Sequence, residues 1–183
     1  MTVRSPHENA DTVSLVCALL VRFPEIASVR CIPNDGTMRF TFVLSQRLDR
    51  AAQEAVRTAV DDHVDGFLLL GDDVANIVRV DCEAARGVTF VHVTRDLDSF
   101  SKDELVMLVS VLADRFGNAL VRNPVTDEHL DEDPAAQEEL VSYAIDSLRD
   151  PKQSKSLVGF REEKRVLVYF LKSKRKAKAS GRP

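Results

Sequence analysis

Residues 27–44 read ASVRCIPNDGTMRFTFVL and carry the strongest fold signal in the chain. Apolar and polar side chains alternate on both sides of the turn-forming run NDG at 34–36, which predicts a β-hairpin. With Asp35 and Gly36 as the two turn residues, Cys31 would lie opposite Phe40. One face of this hairpin is then apolar, and the other holds Arg30, Arg39 and Thr41.

A second hairpin is predicted over residues 77–94, with residues 84–87 as its loop. The same alternation places Val78, Val80, Cys82, Thr89, Val91 and Val93 on one face. The opposite face would hold Arg79, Asp81, Glu83, Phe90 and His92. A third strand pair is predicted over 157–160 and 166–171.

Apolar residues recur at helical spacing in four other segments, which predicts helices over 11–23, 48–64, 101–117 and a stretch from 134 to about 149. The third begins with the clearest start signal in the chain. Ser101 is the predicted N-cap, and Glu104 stands three residues later, the spacing of a capping box. Periodicity does not decide whether residues 67–70 prolong the second helix or form a short strand.

Helices and hairpins in this order predict an α+β fold, with antiparallel sheet built from hairpins packed against amphipathic helices. Residues 40–122 follow the element order of the split βαβ, ferredoxin-like arrangement if residues 118–122 form a strand. We predict an α+β core over 1–122, an acidic linker over 123–133, a helix and strand pair over 134–171, and a disordered basic tail over 172–183. The helix and strand pair would pack on the core or form a small subdomain.

The composition limits the classes of protein to which the chain can belong. A chain of 183 residues with 44% apolar residues can bury a core, and with 30% charged residues it contains no apolar run long enough to cross a bilayer. The first residues show no signal-peptide pattern, and three cysteines match no zinc or redox motif. We therefore expect a cytoplasmic protein with reduced thiols, no cofactor and no membrane contact.

Charge is distributed unevenly along the chain. The last 12 residues contain six of the 25 Lys and Arg residues and none of the 29 Asp and Glu residues, so the tail carries +6 and residues 1–171 carry −10. Such an arm can bind nucleic acid without sequence preference. The candidate nucleic-acid-binding residues are Lys172, Lys174, Arg175, Lys176, Lys178 and Arg182. A solubilising tail and a tail docked on the acidic body are the alternatives.

Two groups of residues are weighed as sites of chemistry. Asp61, Asp62, His63 and Asp65 combine carboxylates with an imidazole on a predicted helix, a donor set suited to Mg²⁺ or Mn²⁺, although solvated charges at a helix end are the commoner case. Cys82 and His92 lie on neighbouring predicted strands but on opposite faces, which argues against a catalytic pair.

The sequence contains no phosphate-binding glycine loop, nucleophile elbow or zinc-protease motif. We therefore predict a non-enzymatic binding or regulatory module with a protein partner or self-association, which contacts nucleic acid or the ribosome through its tail. The alternatives are a small metal-dependent hydrolase using the Asp61 group and a structural homo-oligomer. A hydrolase would need one concave site that gathers the acids of 61–73 with His92 or His129.

Overall fold

The described fold contains one antiparallel sheet of six strands, three helices whose bounds are described, and part of a further helix within residues 139–146. The structure is a computed structural model that describes residues 7–123, 139, 141–143, 145–146, 155–162 and 165–171. The helices are α1 (His7–Arg22), α2 (Arg50–Gly71) and α3 (Lys102–Phe116). The strands are β1 (Ile26–Ile32), β2 (Thr37–Leu44), β3 (Val78–Ala85), β4 (Val88–Asp96), β5 (Leu157–Glu162) and β6 (Arg165–Phe170). The predicted α+β class is confirmed.

The strands lie in the order β3-β4-β2-β1-β5-β6, and every neighbouring pair is antiparallel. Alternate side chains of the strands enter one hydrophobic core together with the apolar stripes of the helices. Among the described residues, no member of that core comes from the other face of the sheet. We call this second face the open face.

The first hairpin is shifted by two residues from its predicted register. Pro33–Asp35 form a 3₁₀ turn that ends at Gly36, whose φ of 60° is the left-handed value that glycine adopts without strain. Cys31 consequently pairs with Met38. The predicted pairing of Cys31 with Phe40 is therefore wrong, but a shift of two residues leaves every side chain on its predicted face.

The second hairpin has the predicted faces and a shorter loop. Val80 pairs with Val93 on the core face, and Asp81 pairs with His92 on the open face. The connection consists of Arg86 and Gly87 alone, whose φ values of 49° and 87° belong to a two-residue hairpin turn. The predicted loop over 84–87 is too long because residues 84 and 85 continue β3.

The helices differ from the predictions mainly at their ends. α1 begins at His7, four residues before its predicted start. α2 continues through residues 67–70, so these residues are helical. Residues 118–122, expected to form a strand, contain a 3₁₀ turn and a single antiparallel bridge from Leu120 to Leu44. The ferredoxin-like arrangement and the division into domains remain predictions.

The predicted N-cap of α3 is confirmed, but the capping box is not formed. The Ser101 hydroxyl accepts a hydrogen bond from the Glu104 backbone nitrogen at 3.2 Å. The Glu104 side chain instead turns into the core, where it is completely buried and binds Arg95. The reciprocal bond of a capping box is replaced by a tertiary ion pair.

Arg95 is itself completely buried and has four partners. Its Nε and Nη2 atoms donate to the two carboxylate oxygens of Glu104 at 2.6 and 3.0 Å. Its Nη1 atom donates to the Ile77 carbonyl oxygen at 2.7 Å and to Asp96, and Nη2 also reaches the Ser99 hydroxyl at 3.0 Å. Burial raises the pKa of Glu104, although Arg95 opposes that change.

Several predicted features lie outside the described residues. These are the acidic linker, the start of the helix after it and the basic tail. Within that helix, residues 139, 141–143 and 145–146 are helical, and Val141 and Ile145 are buried as the predicted stripe requires.

Gly159 lies where α1 packs closely against the sheet. It is buried in β5, and a Cβ atom there would overlap Val16 of α1 and lie 3.1 Å from Leu20. We expect Gly159→Val to lower the free energy of unfolding by about 2 kcal/mol, because the core must open to admit the side chain. Urea unfolding measures the change. Gly66→Ala is the matched control, since Gly66 lies inside α2 with open space around it and alanine favours the helix. Equal stability of Gly159→Val and the wild type would contradict this packing.

Asp96 makes the stability sensitive to acid. Burial alone would raise the pKa of its carboxyl group, but hydrogen bonds from Ser99 and Ile77 and the charge of Arg95 outweigh it and lower the pKa from 3.8 to about 2. A carboxyl group with a lowered folded-state pKa stabilises the fold above its unfolded pKa and loses that contribution as pH falls through the folded value. We expect this contribution, about 2 kcal/mol, to disappear between roughly pH 4 and pH 2.

The measurement is urea unfolding across that pH range for the wild type and for Asp96→Asn. The variant should be less stable near neutral pH and should lose less stability on acidification. Asp98→Asn, which changes an exposed carboxylate two residues away, serves as the control. A pH dependence shared by all three proteins would show that Asp96 does not carry the effect.

Candidate functional site

A band of three arginines crosses the middle of the open face. In the order of the strands from β3 to β1, residues Arg79, Thr94, Arg39 and Arg30 are successive cross-strand partners. At the usual strand spacing this band is about 15 Å long and runs perpendicular to the strands. The alternation of each strand places these side chains on the face that does not enter the core.

Two of the arginines lack an acidic partner in the described part of the chain. The Nε atom of Arg79 lies 3.0 Å from the Asp81 carboxylate, whereas Arg39 donates only to the Thr94 hydroxyl at 3.1 Å. Arg30 is exposed and stands directly opposite Arg39 in the ladder. Like charges at directly opposite positions destabilise a sheet pair. An anion bound between Arg30 and Arg39 would remove that repulsion.

The arginine band lines a depression with a volume of about 400 Å³. Thr37 and Thr94 contribute hydroxyl groups to it, Ile32 and Ile77 contribute apolar walls, and Asp35 contributes one carboxylate against the three arginines. Guanidinium and hydroxyl donors are the groups that proteins use most often for phosphate oxygens. The surface is therefore suited to anions that carry several oxygen acceptors.

Three aromatic side chains lie along one side of the band, and a fourth, Tyr169, lies in the row of the band beyond its β1 end. The rings of Phe90 and His92 in β4 stack with centroids 6.3 Å apart, and those of Phe160 and Tyr169 in β5 and β6 stack at 5.7 Å. Register places all four on the open face. Tyr169 is 53% exposed, so it can contact a partner.

His92 belongs to this face as a neutral ring. Its Nδ1 atom lies 3.0 Å from the Thr41 hydroxyl. Burial lowers the pKa of His92 below its ordinary value, and the charge of Arg39 lowers it further. The ring therefore offers stacking and hydrogen bonding rather than a positive charge at neutral pH.

The predicted metal-binding group, Asp61, Asp62, His63 and Asp65, lies on α2. Within the described residues, no three or more His, Cys, Asp or Glu side chains are placed to hold a metal ion together. His63 Nδ1 is 2.6 Å from the backbone oxygen of Ala59. Burial, followed by the charges of Asp65 and Asp62, raises the pKa of Asp61. These side chains occupy the outer surface of the helix.

The structure also separates His92 from these acids. His92 is on the open face, whereas α2 packs its buried stripe against the core face. His129, the other histidine considered, lies outside the described residues. The described residues therefore do not form the concave site that the hydrolase hypothesis requires.

Cys82 and His92 lie on opposite faces of the second hairpin, as the alternation predicts. The Cys82 thiol faces the core side, 3.9 Å from the Gln53 backbone oxygen, and burial raises its pKa. Burial also raises the pKa of Cys31, to about 12. Thiols with raised pKa values are poor nucleophiles at neutral pH.

No family model, curated protein or solved structure matches this chain. Among the described residues, no helix is both long enough and apolar enough to span a bilayer. The chain is an α+β protein, and its described helices pack on one face of its sheet.

Sequence reasoning found part of the arginine band. The alternation predicts that Arg30 and Arg39 share a face, and separately that Arg79 lies on the outer face of the second hairpin. It does not predict that β4 lies beside β2, which is the pairing that joins the two groups. The six basic residues of the tail, from Lys172 to Arg182, lie outside the described residues, so their role remains a prediction.

Proposed function

We propose that this chain is a non-catalytic binding module that holds single-stranded nucleic acid on the open face, with the basic tail adding non-specific affinity. The observation that carries this proposal is that Arg30 and Arg39 stand directly opposite each other and form no ion pair with any described residue. Phosphodiesters are anions that such a pair binds, and a positively charged surface that follows the backbone is the common element of single-strand binding.

The aromatic pairs supply the second element of that binding mode. Bases of any sequence stack on exposed rings, and each stacked base contributes about 1–3 kcal/mol. Phe160 and Tyr169 lie on the same side of the sheet as the arginine band and two or three strands from its centre. A flexible single strand can therefore place phosphates on the arginines and a base on Tyr169.

The position of the tail agrees with this arrangement. β6 ends at Phe170, and the basic residues begin at Lys172. Lys172 therefore follows the last residue of the edge strand that carries Tyr169 by two positions. The +6 charge of the tail would add phosphate contacts to those made on the open face.

Acidic residues set the direction of the bound strand. Asp81 and Glu83 lie on the open face of β3, at the far edge of the sheet from the tail. They repel phosphates at that edge. We infer that the strand runs from Arg39 and Arg30 toward β6 rather than toward β3.

The test is fluorescence anisotropy of a labelled oligouridine with the full chain at several salt concentrations. We expect Arg30→Ala with Arg39→Ala to reduce the slope of log affinity against log salt by about 1.4, the value for two lost phosphate contacts on a single strand. Replacing the six basic tail residues with Gln should reduce this slope further. Tyr169→Ala should weaken the binding of oligouridine about tenfold.

Arg50→Ala with Arg57→Ala is the matched control, because it removes the same charge from α2. That variant should bind oligouridine with nearly the affinity of the wild type, apart from the small effect of its lower total charge. The proposal fails if oligouridine does not bind at low salt, or if the two double variants lose affinity equally. Thermal melting checks that each variant is folded.

A second candidate function is self-association through β6, which forms one edge of the sheet. Its sequence RVLVYF is rich in β-formers, and Tyr169 and Phe170 are 53% and 47% exposed. Unprotected edges of this kind pair with other strands. A second copy added through β6 would extend the sheet across a two-fold axis.

Light scattering tests self-association directly, because it measures the mass of the particle in solution. Self-association predicts a particle of twice the 20.4 kDa chain mass, which becomes a monomer when Leu167→Lys and Tyr169→Lys place like charges at the edge. Asp62→Lys with His63→Lys adds charge on α2 as a control and should leave the dimer intact. A monomer at every concentration would exclude this candidate.

A further inference from the structure

An exposed apolar surface lies at the end of α2, on the helical side of the molecule. Leu69, Leu70 and Val74 are 82%, 92% and 83% exposed, the highest values among the large apolar side chains that the structure describes. We call these three residues the docking patch. Apolar patches with a polar border commonly mark sites of protein association.

The fold does not require apolar side chains at these positions. The buried stripe of α2 consists of Val56, Val60, Val64 and Leu68, and the docking patch lies outside it. Polar residues at 69, 70 and 74 would leave the core unchanged. Their apolar character is therefore better explained by a partner than by folding.

The docking patch is held in a defined conformation. Asp72 ends α2 in the left-handed region at φ 55°, and its backbone nitrogen donates to the carbonyl groups of Leu68 and Leu69. The Asp73 backbone nitrogen donates to the Leu68 oxygen at 3.0 Å. Beside this turn a depression of about 420 Å³ is lined by Leu68, Leu69, Val74, Val78, Asp65 and Asp73.

The border of the docking patch is strongly acidic. Residues 58–78 contain five Asp and no Lys or Arg. Asp65 and Asp73 line the depression itself, and Asp72 lies between the patch residues Leu70 and Val74. The carboxyl end of α2 adds the negative end of its helix dipole. An apolar centre with Asp65, Asp72 and Asp73 beside it is complementary to a segment with apolar side chains flanked by Lys or Arg.

The charge also argues against three other occupants. A second copy that met this patch about a two-fold axis would bring Asp65, Asp72 and Asp73 against the same residues of its partner, and such repulsion disfavours the contact. An anionic membrane surface would be repelled for the same reason. A nucleic acid would be repelled as well.

We propose that the docking patch binds a basic amphipathic segment of a partner protein. Apolar side chains of that segment cover Leu69, Leu70 and Val74, and its Lys or Arg side chains pair with Asp65, Asp72 and Asp73. This is recognition of an amphipathic helix by an apolar surface. The patch is on the helical side, so this proposal is independent of nucleic-acid binding on the open face.

The probe is a labelled helical peptide of Leu and Lys with its leucines on one face, titrated into the full chain and followed by anisotropy. We expect saturable binding that Leu69→Gln with Leu70→Gln weakens about tenfold or more. Asp72→Asn with Asp73→Asn should weaken binding less and should reduce its salt dependence. Asn is chosen because it tolerates the left-handed conformation at position 72.

Two peptides and one variant provide the controls. A peptide with Gln in place of Leu keeps the charge, and one with Glu in place of Lys keeps the apolar face; both should bind much more weakly than the probe. Val106→Gln removes an apolar side chain that is 43% exposed on α3 and should leave binding unchanged.

Three outcomes would overturn the proposal. The first is no saturable binding of the probe. The second is equal binding of the probe and its Gln version, which would mean that charge alone attracts the peptide. The third is a dimer in light scattering that Leu69→Gln with Leu70→Gln converts to a monomer, which would mean that a second copy covers the patch.

Discussion

The buried guanidinium group of Arg95 is the constraint on which the arrangement of the second hairpin and α3 depends. A charged group with no exposure is tolerated only when its donors are satisfied and its charge is paired. Glu104, Asp96, Ser99 and the Ile77 carbonyl group together meet that requirement. These partners come from the residue before β3, the end of β4 and the first turn of α3, and loss of one carboxylate would cost about 3–5 kcal/mol.

The same ion pair determines which face of the sheet the described helices cover. Arg95 follows Val91 and Val93 on the core face of β4, so its bond to Glu104 draws α3 to that face. α1 and α2 bury their apolar stripes in the same core. The alternate positions of the strands, including Arg39 and Thr94, remain on the open face. The open face is thus a consequence of how the described helices close the core on the other face.

Local pattern predicts the faces of the strands but not their neighbours. A period of two residues is visible in any short segment, so Arg30, Arg39 and His92 could be assigned to the outer face from the sequence. The bond between Arg39 and Thr94 joins residues 55 positions apart, and no local pattern records that pairing. Glu104 shows the same limit of local patterns. Its position three residues after Ser101 predicts a capping box, but a glutamate at that position can also turn into the core and bind Arg95.

The two proposed surfaces explain why the chain separates its charges. In the proposed binding modes, the arginine band attracts phosphates on the open face, whereas the five Asp residues of 58–78 repel them on the helical side. A nucleic acid would therefore engage only the open face. Salt acts on the two surfaces differently, because it screens phosphate contacts strongly but leaves apolar contacts at Leu69 and Leu70 in place. A basic amphipathic partner would consequently remain bound under conditions that release nucleic acid, which gives the two ligands separable responses on one small fold.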